Sequence, residues 1–118
     1  YTVVIYGPKG MLKDTTKTLE KLGFGGNVVQ TDKLRVMEDL IGKPNVNCAI
    51  YHAITEENYQ KTGEILAARN SRNIPVIREE LLEYGCMSYS PELIAKVRDD
   101  FERNVREALQ GVRESKSI

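Results

Sequence analysis

The sequence has few of the residues that carry metal sites, disulfide frameworks and reactive centres. Its 118 residues include one histidine (His52), two cysteines and no tryptophan. The spacing of Cys48 and Cys86 matches no zinc motif, so the sequence predicts no metal site. Two thiols that are free favour a reducing compartment, although the sequence alone leaves a single disulfide open. The glycines form neither a P-loop nor a G-x-G-x-x-G fingerprint, and we expect no cofactor.

The chain also lacks an excess of charge of either sign. Its 17 Lys and Arg residues balance 17 Asp and Glu residues. Nucleic acids and anionic membranes are held largely by neutralising their charge, so the composition argues against both as the main ligand. Three lysines recur at every fourth position of the first predicted helix, but acidic residues are interleaved with them. We interpret that surface as a solvated helix face.

Long apolar runs are absent as well. The longest are short, such as Val3–Tyr6 and Cys48–Tyr51, whereas a membrane helix needs about 20 apolar residues, so we expect no membrane insertion. No signal peptide is visible, which together with the thiols suits an intracellular chain. Because the sequence opens on Tyr1 and not on Met, we expect a piece of a longer protein or a processed chain.

Strand-like runs alternate with helical periodicity. The predicted strands are Thr2–Tyr6, Asn27–Gln30, Val46–Ile54 and Ile74–Ile77, and Cys86–Tyr89 is a candidate fifth strand. The predicted helices run from Met11 to Leu22, from an Asp32 cap to Ile41, from a Thr55 cap to Arg69, and onward from Ser90. Helical spacing predicts a stripe on the first helix formed by Leu12, Thr15, Leu19 and Leu22, and an apolar stripe on the last helix formed by Ile94, Val97, Phe101, Val105, Ala108 and Val112.

This alternation predicts an α/β fold with three layers. With short connections and right-handed crossovers, we expect a small doubly wound parallel sheet of order 2-1-3-4, extended by a fifth strand if Cys86–Tyr89 pairs. An α+β domain with a partly antiparallel sheet is the alternative. We expect one domain over residues 1–112 and a polar tail over 113–118.

A site in such a sheet lies beyond the carboxyl ends of the strands, where the strand order reverses. Here that point falls between strands one and three, and the loops that meet there are Gly7-Pro8-Lys9-Gly10 and His52–Thr55. Glycine N–H groups, a helix N-terminus and a lysine favour an anionic or polar small molecule. The predicted ligand-binding residues are Gly7, Pro8, Lys9, Gly10, His52, Thr55 and Arg78.

Each of these residues also has a structural interpretation. A glycine turn after the first strand is common, a lone histidine can be a polar residue at a strand end, and Arg78 can pair with Glu79 or Glu80. Five residues could supply carboxylates, although four of them are interpreted first as residues that start helices: Asp32, Glu56, Glu57, Glu79 and Glu80. No nucleophile, base and orienting group stand in a usable order, so we predict no catalytic residue. The enzyme alternative uses His52 as acid–base, with Lys9 holding an anionic substrate.

Most of the chain, including the first strand and its helix and the helix at Asp32–Ile41, resembles one lobe of the periplasmic-type ABC-transporter substrate-binding proteins. The resemblance is carried by Ile74-Pro75-Val76-Ile77, by Gly85 to Leu93 (GCMSYSPEL) and by a long helix closing on Gln110-Gly111. It implies a non-catalytic lobe that clamps a small molecule, and an extracytoplasmic location. A full protein of this type has two lobes, and one is present here.

The chain also resembles BRCT domains, more weakly. That resemblance is carried by Gly7, Lys13-Asp14, Leu19–Gly23 leading to Gly25-Gly26, Asn47–Ile50 and Ile74–Leu82. It implies four parallel strands of order 2-1-3-4 and a protein partner, some such domains binding phosphoserine. The usual tryptophan is absent, Tyr6 stands where phosphopeptide binders carry Ser or Thr, and Lys61 is the candidate phosphate ligand.

The function predicted first is therefore a binding module for a small polar or anionic molecule. A BRCT-like protein-interaction domain of a nuclear or DNA-repair protein is the alternative, and a small enzyme using His52 is the third. A partner chain could also dock along the exposed face of the last helix.

Overall fold

Strands and helices alternate strictly in this protein, seen here in a computed structural model that describes residues 2–53, 55–79 and 90–116. The elements in order are β1 (Thr2–Tyr6), α1 (Lys9–Lys21), β2 (Asn27–Thr31), α2 (Leu34–Ile41), β3 (Val46–Tyr51), α3 (Glu56–Arg69), β4 (Val76–Arg78) and α4 (Pro91–Lys116).

The four strands form one sheet of order β2-β1-β3-β4 in which all pairings are parallel. The predicted α/β class, the three layers and the strand order are confirmed, and a partly antiparallel sheet is excluded for the strands that the structure describes. β1 and β3 lie at the centre because their residues are the most apolar. The candidate fifth strand, Cys86–Tyr89, lies outside the described residues.

One face of the sheet packs against α1 and α4. Its apolar cluster joins inward-facing strand residues to buried helix residues: Val3, Ile5, Cys48, Ile50, Ile77, Leu12, Leu19, Phe101, Val105 and Leu109. The predicted stripe of α4 is confirmed at Phe101 and Val105. Leu109 is buried one residue beyond the predicted Ala108, which is half-buried.

The other face packs against α2 and α3. Its cluster contains Val4, Val46, Ala49, Tyr51, Ala53, Met37, Ile41, Tyr59, Leu66 and Ile74. Because side chains alternate along a strand, neighbouring residues of β1 and β3 enter opposite clusters, and the sheet is buried on both sides. No helix in the described ranges combines the length and the apolar character needed to cross a bilayer.

A β-bulge interrupts the pairing of the two central strands. Thr2 is opposite Val46, but Val3 is opposite Cys48, so Asn47 is an extra residue in β3. Its side-chain Oδ1 accepts a hydrogen bond from the Thr2 N–H at 3.0 Å. The bulge explains why Val46 and Cys48, two residues apart, belong to clusters on opposite faces.

Several boundaries differ from those predicted. α1 begins at Lys9 and not at Met11, and β3 ends at Tyr51. β4 begins at Val76 and not at Ile74, because Ile74 is tied to the end of α3 by two hydrogen bonds with the Asn70 side chain.

The two predicted helix caps have different outcomes. Thr55 caps α3 by accepting a hydrogen bond from the Asn58 N–H at 3.1 Å, as predicted. The Asp32 cap is wrong: α2 starts after Lys33 with no side-chain cap, and the Thr31 hydroxyl accepts the Lys33 N–H instead.

Candidate functional site

Three chain segments remain aligned beyond the carboxyl ends of β1, β3 and β4. The Gly7 N–H donates to the Thr31 carbonyl, the His52 N–H to the Tyr6 carbonyl and the Glu79 N–H to the Tyr51 carbonyl, over 3.3, 2.9 and 2.9 Å. The sheet pattern therefore continues for one residue past each strand. The backbones of Gly7, His52 and Glu79 are therefore held in place by the hydrogen bonds of the sheet.

Gly7 and His52 are in direct contact across the two central strands. A Cβ placed on Gly7 would lie 2.8 Å from His52 Cβ and 2.9 Å from its Cδ2, closer than Cβ atoms tolerate. Glycine is thus required here by space, since only a residue without a side chain lets the imidazole lie against the β1 backbone. The ring is buried, with 1% of the residue exposed.

The imidazole takes part in a cluster of three polar side chains, one from α1 and two from the residues that directly follow β3 and β4. His52 Nε2 lies 2.7 Å from Thr15 Oγ1 and 2.9 Å from Glu79 Oε2, and these two oxygens are 2.8 Å apart. Thr15 and His52 are fully buried, whereas the Glu79 side chain is 20% exposed. We call Thr15, His52 and Glu79 the polar triangle.

The other imidazole nitrogen of His52 has no such neighbours. Nδ1 is buried and has no hydrogen-bond partner in the part of the chain that the structure describes. On the same face, four residues earlier in the chain, Cys48 in β3 is fully buried. Burial raises the pKa of the Cys48 thiol to about 12, so this thiol is neutral at physiological pH.

A second group of side chains lies on the α3 side of the same edge. The Tyr59 hydroxyl donates a hydrogen bond of 2.6 Å to the Glu79 carbonyl. The Arg78 guanidinium lies 4.1 Å from the centre of the Tyr59 ring and binds both oxygens of the Glu56 carboxylate. Hydrogen bonds from Arg78 hold the pKa of the Glu56 carboxyl below its usual value.

The structure brings together part of the predicted site. Gly7 and His52 touch; Pro8 is the N-cap residue of α1, and Lys9 and Gly10 form its exposed first turn. Thr55, by contrast, is exposed at the start of α3. Arg78 projects to the α3 face of the sheet and pairs with Glu56, not with Glu79. Glu80 lies outside the described residues.

Sequence reasoning missed Thr15 as a site residue, and it considered Glu79 only as one of several candidate carboxylates and as a partner of Arg78. Thr15 occupies an inward position of α1 together with Leu12 and Leu19, which made it resemble a core residue. The sequence contains one signal for each of these two residues. A threonine stood in an otherwise leucine stripe, and strand alternation places Glu79 on the same face as Ile77.

The polar triangle differs from a nucleophilic triad. In a triad the imidazole contacts the hydroxyl and the carboxylate through different nitrogens, which lets it relay a proton. Here both oxygens contact Nε2, and the Thr15 hydroxyl also lies 3.2 Å from the Met11 carbonyl.

Among residues 2–53, 55–79 and 90–110, no group of three His, Cys, Asp or Glu side chains is placed to hold a metal ion.

Comparison with known proteins gives no relative: no family model, no curated protein and no solved structure matches this chain.

Proposed function

We propose that this chain is a non-catalytic binding module for a small polar or anionic molecule, held at the carboxyl ends of β1 and β3. The observation that carries the proposal is the contact of Gly7 with His52 at the point where the strand order reverses. Open parallel sheets bind ligands at this position, since the loops on either side of it diverge and leave a crevice.

The start of α1 supports an anionic group on the ligand. Only two residues separate β1 from α1, and α1 begins without a side-chain cap and without an acidic residue in its first turn. The N–H groups of Lys9 and Gly10 have no intrahelical acceptor, because they belong to the first turn of the helix. The N-cap residue is Pro8, whose side chain cannot accept a hydrogen bond, and no other described residue accepts one from these two N–H groups. The helix dipole and the Lys9 ammonium add positive potential at this position.

The test is a titration of the ¹⁵N-labelled protein with phosphate, acetate and free amino acids, followed by amide chemical shifts. We expect saturable shifts at Gly7, Lys9, Gly10 and His52. Lys9→Gln should weaken binding several-fold, whereas Lys13→Gln, one turn further along the same helix, should leave affinity unchanged. Equal losses in both variants, or shifts spread over the exposed lysines, would contradict a site at the start of α1.

A protein-interaction module of the BRCT type is the second candidate. The observation in its favour is the sheet itself, four parallel strands of order 2-1-3-4. It predicts that a phosphoserine peptide shifts the amides near Gly7 and Lys61, where Lys61 is exposed and lies 3.0 Å from Glu57. A response to the peptide with none to the small molecules would favour this candidate.

A further inference from the structure

The polar triangle determines which nitrogen of His52 carries hydrogen. Three atoms that can each accept a hydrogen bond, Thr15 Oγ1, His52 Nε2 and Glu79 Oε2, lie within 2.9 Å of one another. The Thr15 hydroxyl supplies one hydrogen only. If Nε2 carried a lone pair, that lone pair would face an ionised carboxylate oxygen at 2.9 Å, which is repulsive.

The arrangement is consistent when Nε2 carries the second hydrogen. Nε2–H then donates toward Glu79 Oε2 and Thr15 Oγ1, and the Thr15 hydroxyl donates to Glu79 Oε2, giving charge-assisted hydrogen bonds. A further hydrogen on Nδ1 is disfavoured because this buried atom has no acceptor among the described residues. We infer that Thr15 and Glu79 act as positioning residues that favour a hydrogen on Nε2 of His52.

In this tautomer, the atoms of His52 and Glu79 that still lack a hydrogen-bond partner among the described residues are both acceptors. Nδ1 of His52 has a lone pair and no donor in the described part of the chain. The second oxygen of Glu79, Oε1, likewise has no hydrogen-bond partner among residues 2–53, 55–79 and 90–110. Because Glu79 is the partly exposed member of the triangle, a ligand reaches the cluster from its side.

We propose that the triangle selects a ligand that carries a hydrogen-bond donor as well as an anionic group, such as a small hydroxy acid or amino acid. This step rests on the proposed function, since it assigns the anionic group to the start of α1. The acceptors of the triangle then receive the hydroxyl or amino group. The acceptor that such a ligand reaches is Oε1 of Glu79, and a hydrogen bond to this carboxylate is charge-assisted.

The tautomer is tested first, without ligand. His52 is the only histidine, so long-range ¹H–¹⁵N correlation spectra report its two ring nitrogens without overlap. We expect a protonated Nε2 and an unprotonated Nδ1 at neutral pH. In Glu79→Gln the Nε2–H population should fall, because an amide oxygen is a weaker acceptor and the amide N–H can donate to Nε2. Glu56→Gln, a glutamate outside the triangle, should leave the spectrum unchanged. A wild-type Nδ1–H tautomer would overturn the inference.

The ligand class is tested with glycolate and acetate, which differ by one hydroxyl group. We expect glycolate to bind roughly two- to tenfold more tightly, as one additional hydrogen bond gives. Isothermal titration calorimetry measures both affinities. In Glu79→Gln the ratio of the glycolate affinity to the acetate affinity should fall toward one. If the Glu79→Gln protein does not fold, Thr15→Val serves as the second variant for the same measurement.

The two proposals fail in different ways. Equal affinity for glycolate and acetate in the wild-type protein would overturn the donor preference and leave the anion site standing. Binding of neither carboxylate would overturn the proposed function together with the ligand class, whereas the tautomer would still be decided by its own spectrum.

Discussion

The two faces of the sheet have similar apolar clusters, but different kinds of side chain lie on them at the carboxyl ends of the strands. On the α1/α4 face the edge is closed by the buried polar triangle. On the α2/α3 face it is closed by the partly exposed Arg78, which binds the exposed Glu56 and covers the Tyr59 ring. Buried polar groups hold one geometry because unpaired alternatives are costly, whereas exposed ion pairs contribute little and tolerate rearrangement.

The comparison separates two roles at this edge. Under the proposed function, the α1/α4 face holds the groups that discriminate between ligands, since their hydrogen bonds are buried. The α2/α3 face supports them indirectly, because the Tyr59 hydroxyl holds the backbone of Glu79. Four variants test this division.

Phe101→Ala tests the packing of the α1/α4 face and should have the largest effect. Phe101 is 7% exposed and lies in the cluster that α4 forms on the sheet. Its truncation should lower the free energy of unfolding by about 3–5 kcal/mol, measured by chemical denaturation. Leu93→Ala in the same helix, at 42% exposure, should cost less than about 0.5 kcal/mol. A loss below about 1 kcal/mol for Phe101→Ala would mean that this side chain contributes little to holding α4 on the sheet.

Gly7→Ala tests the contact that brings His52 against β1. The new methyl group would overlap the imidazole, so we expect a loss of about 1–3 kcal/mol and a shift of the His52 ring resonances. Gly10→Ala is the matched control, because a Cβ there meets no atom within 4 Å. That variant should be neutral or stabilising by up to about 1 kcal/mol. Similar losses in the two variants would show that space at Gly7 is not the constraint.

Tyr59→Phe tests the support that the α2/α3 face gives to Glu79. It removes the hydroxyl that binds the Glu79 carbonyl at 2.6 Å, and we expect a loss of about 0.5–1.5 kcal/mol. Amide hydrogen exchange should be faster at Glu79, whose N–H donates to Tyr51. Unchanged exchange at Glu79 would indicate that Tyr59 does not hold this segment.

Glu56→Gln tests the exposed ion pair and should have the smallest effect. The Glu56 pKa is lowered in the folded state by Arg78. The ionised carboxylate therefore stabilises the fold above the unfolded-state pKa of ~4.3, and this contribution is lost as the pH falls through the lower folded-state value. Thermal unfolding should show a small difference from wild type at pH 7 that disappears in strong acid. A difference that grows on acidification would contradict the sign of this shift.

Local patterns were sufficient to predict the layers, the strand order and the position of the edge. Apolar runs and helical periodicity are properties of neighbouring residues, and the handedness of crossovers then restricts the topology. The triangle was not predicted, because Thr15, His52 and Glu79 are separated by 37 and 27 residues (52 − 15 and 79 − 52). Their contact depends on strand register and helix rotation. Arg78 was assigned to the crevice because strand alternation was not applied past Ile77.

The bulge at Asn47 has a consequence for how the chain tolerates changes in length. Pairing on either side of Asn47 is continuous, Thr2 with Val46 and Val3 with Cys48, so deleting this one residue would preserve every later partner in β3. The cost would be the hydrogen bond from Thr2. Deleting Ala49 instead would shift the register by one residue on one side of the deletion. Either Cys48 would move to the opposite face of the sheet, or the residues after Ala49 would, and the second change would carry His52 away from Thr15. Natural or designed versions of this protein that are one residue shorter in β3 should have lost Asn47.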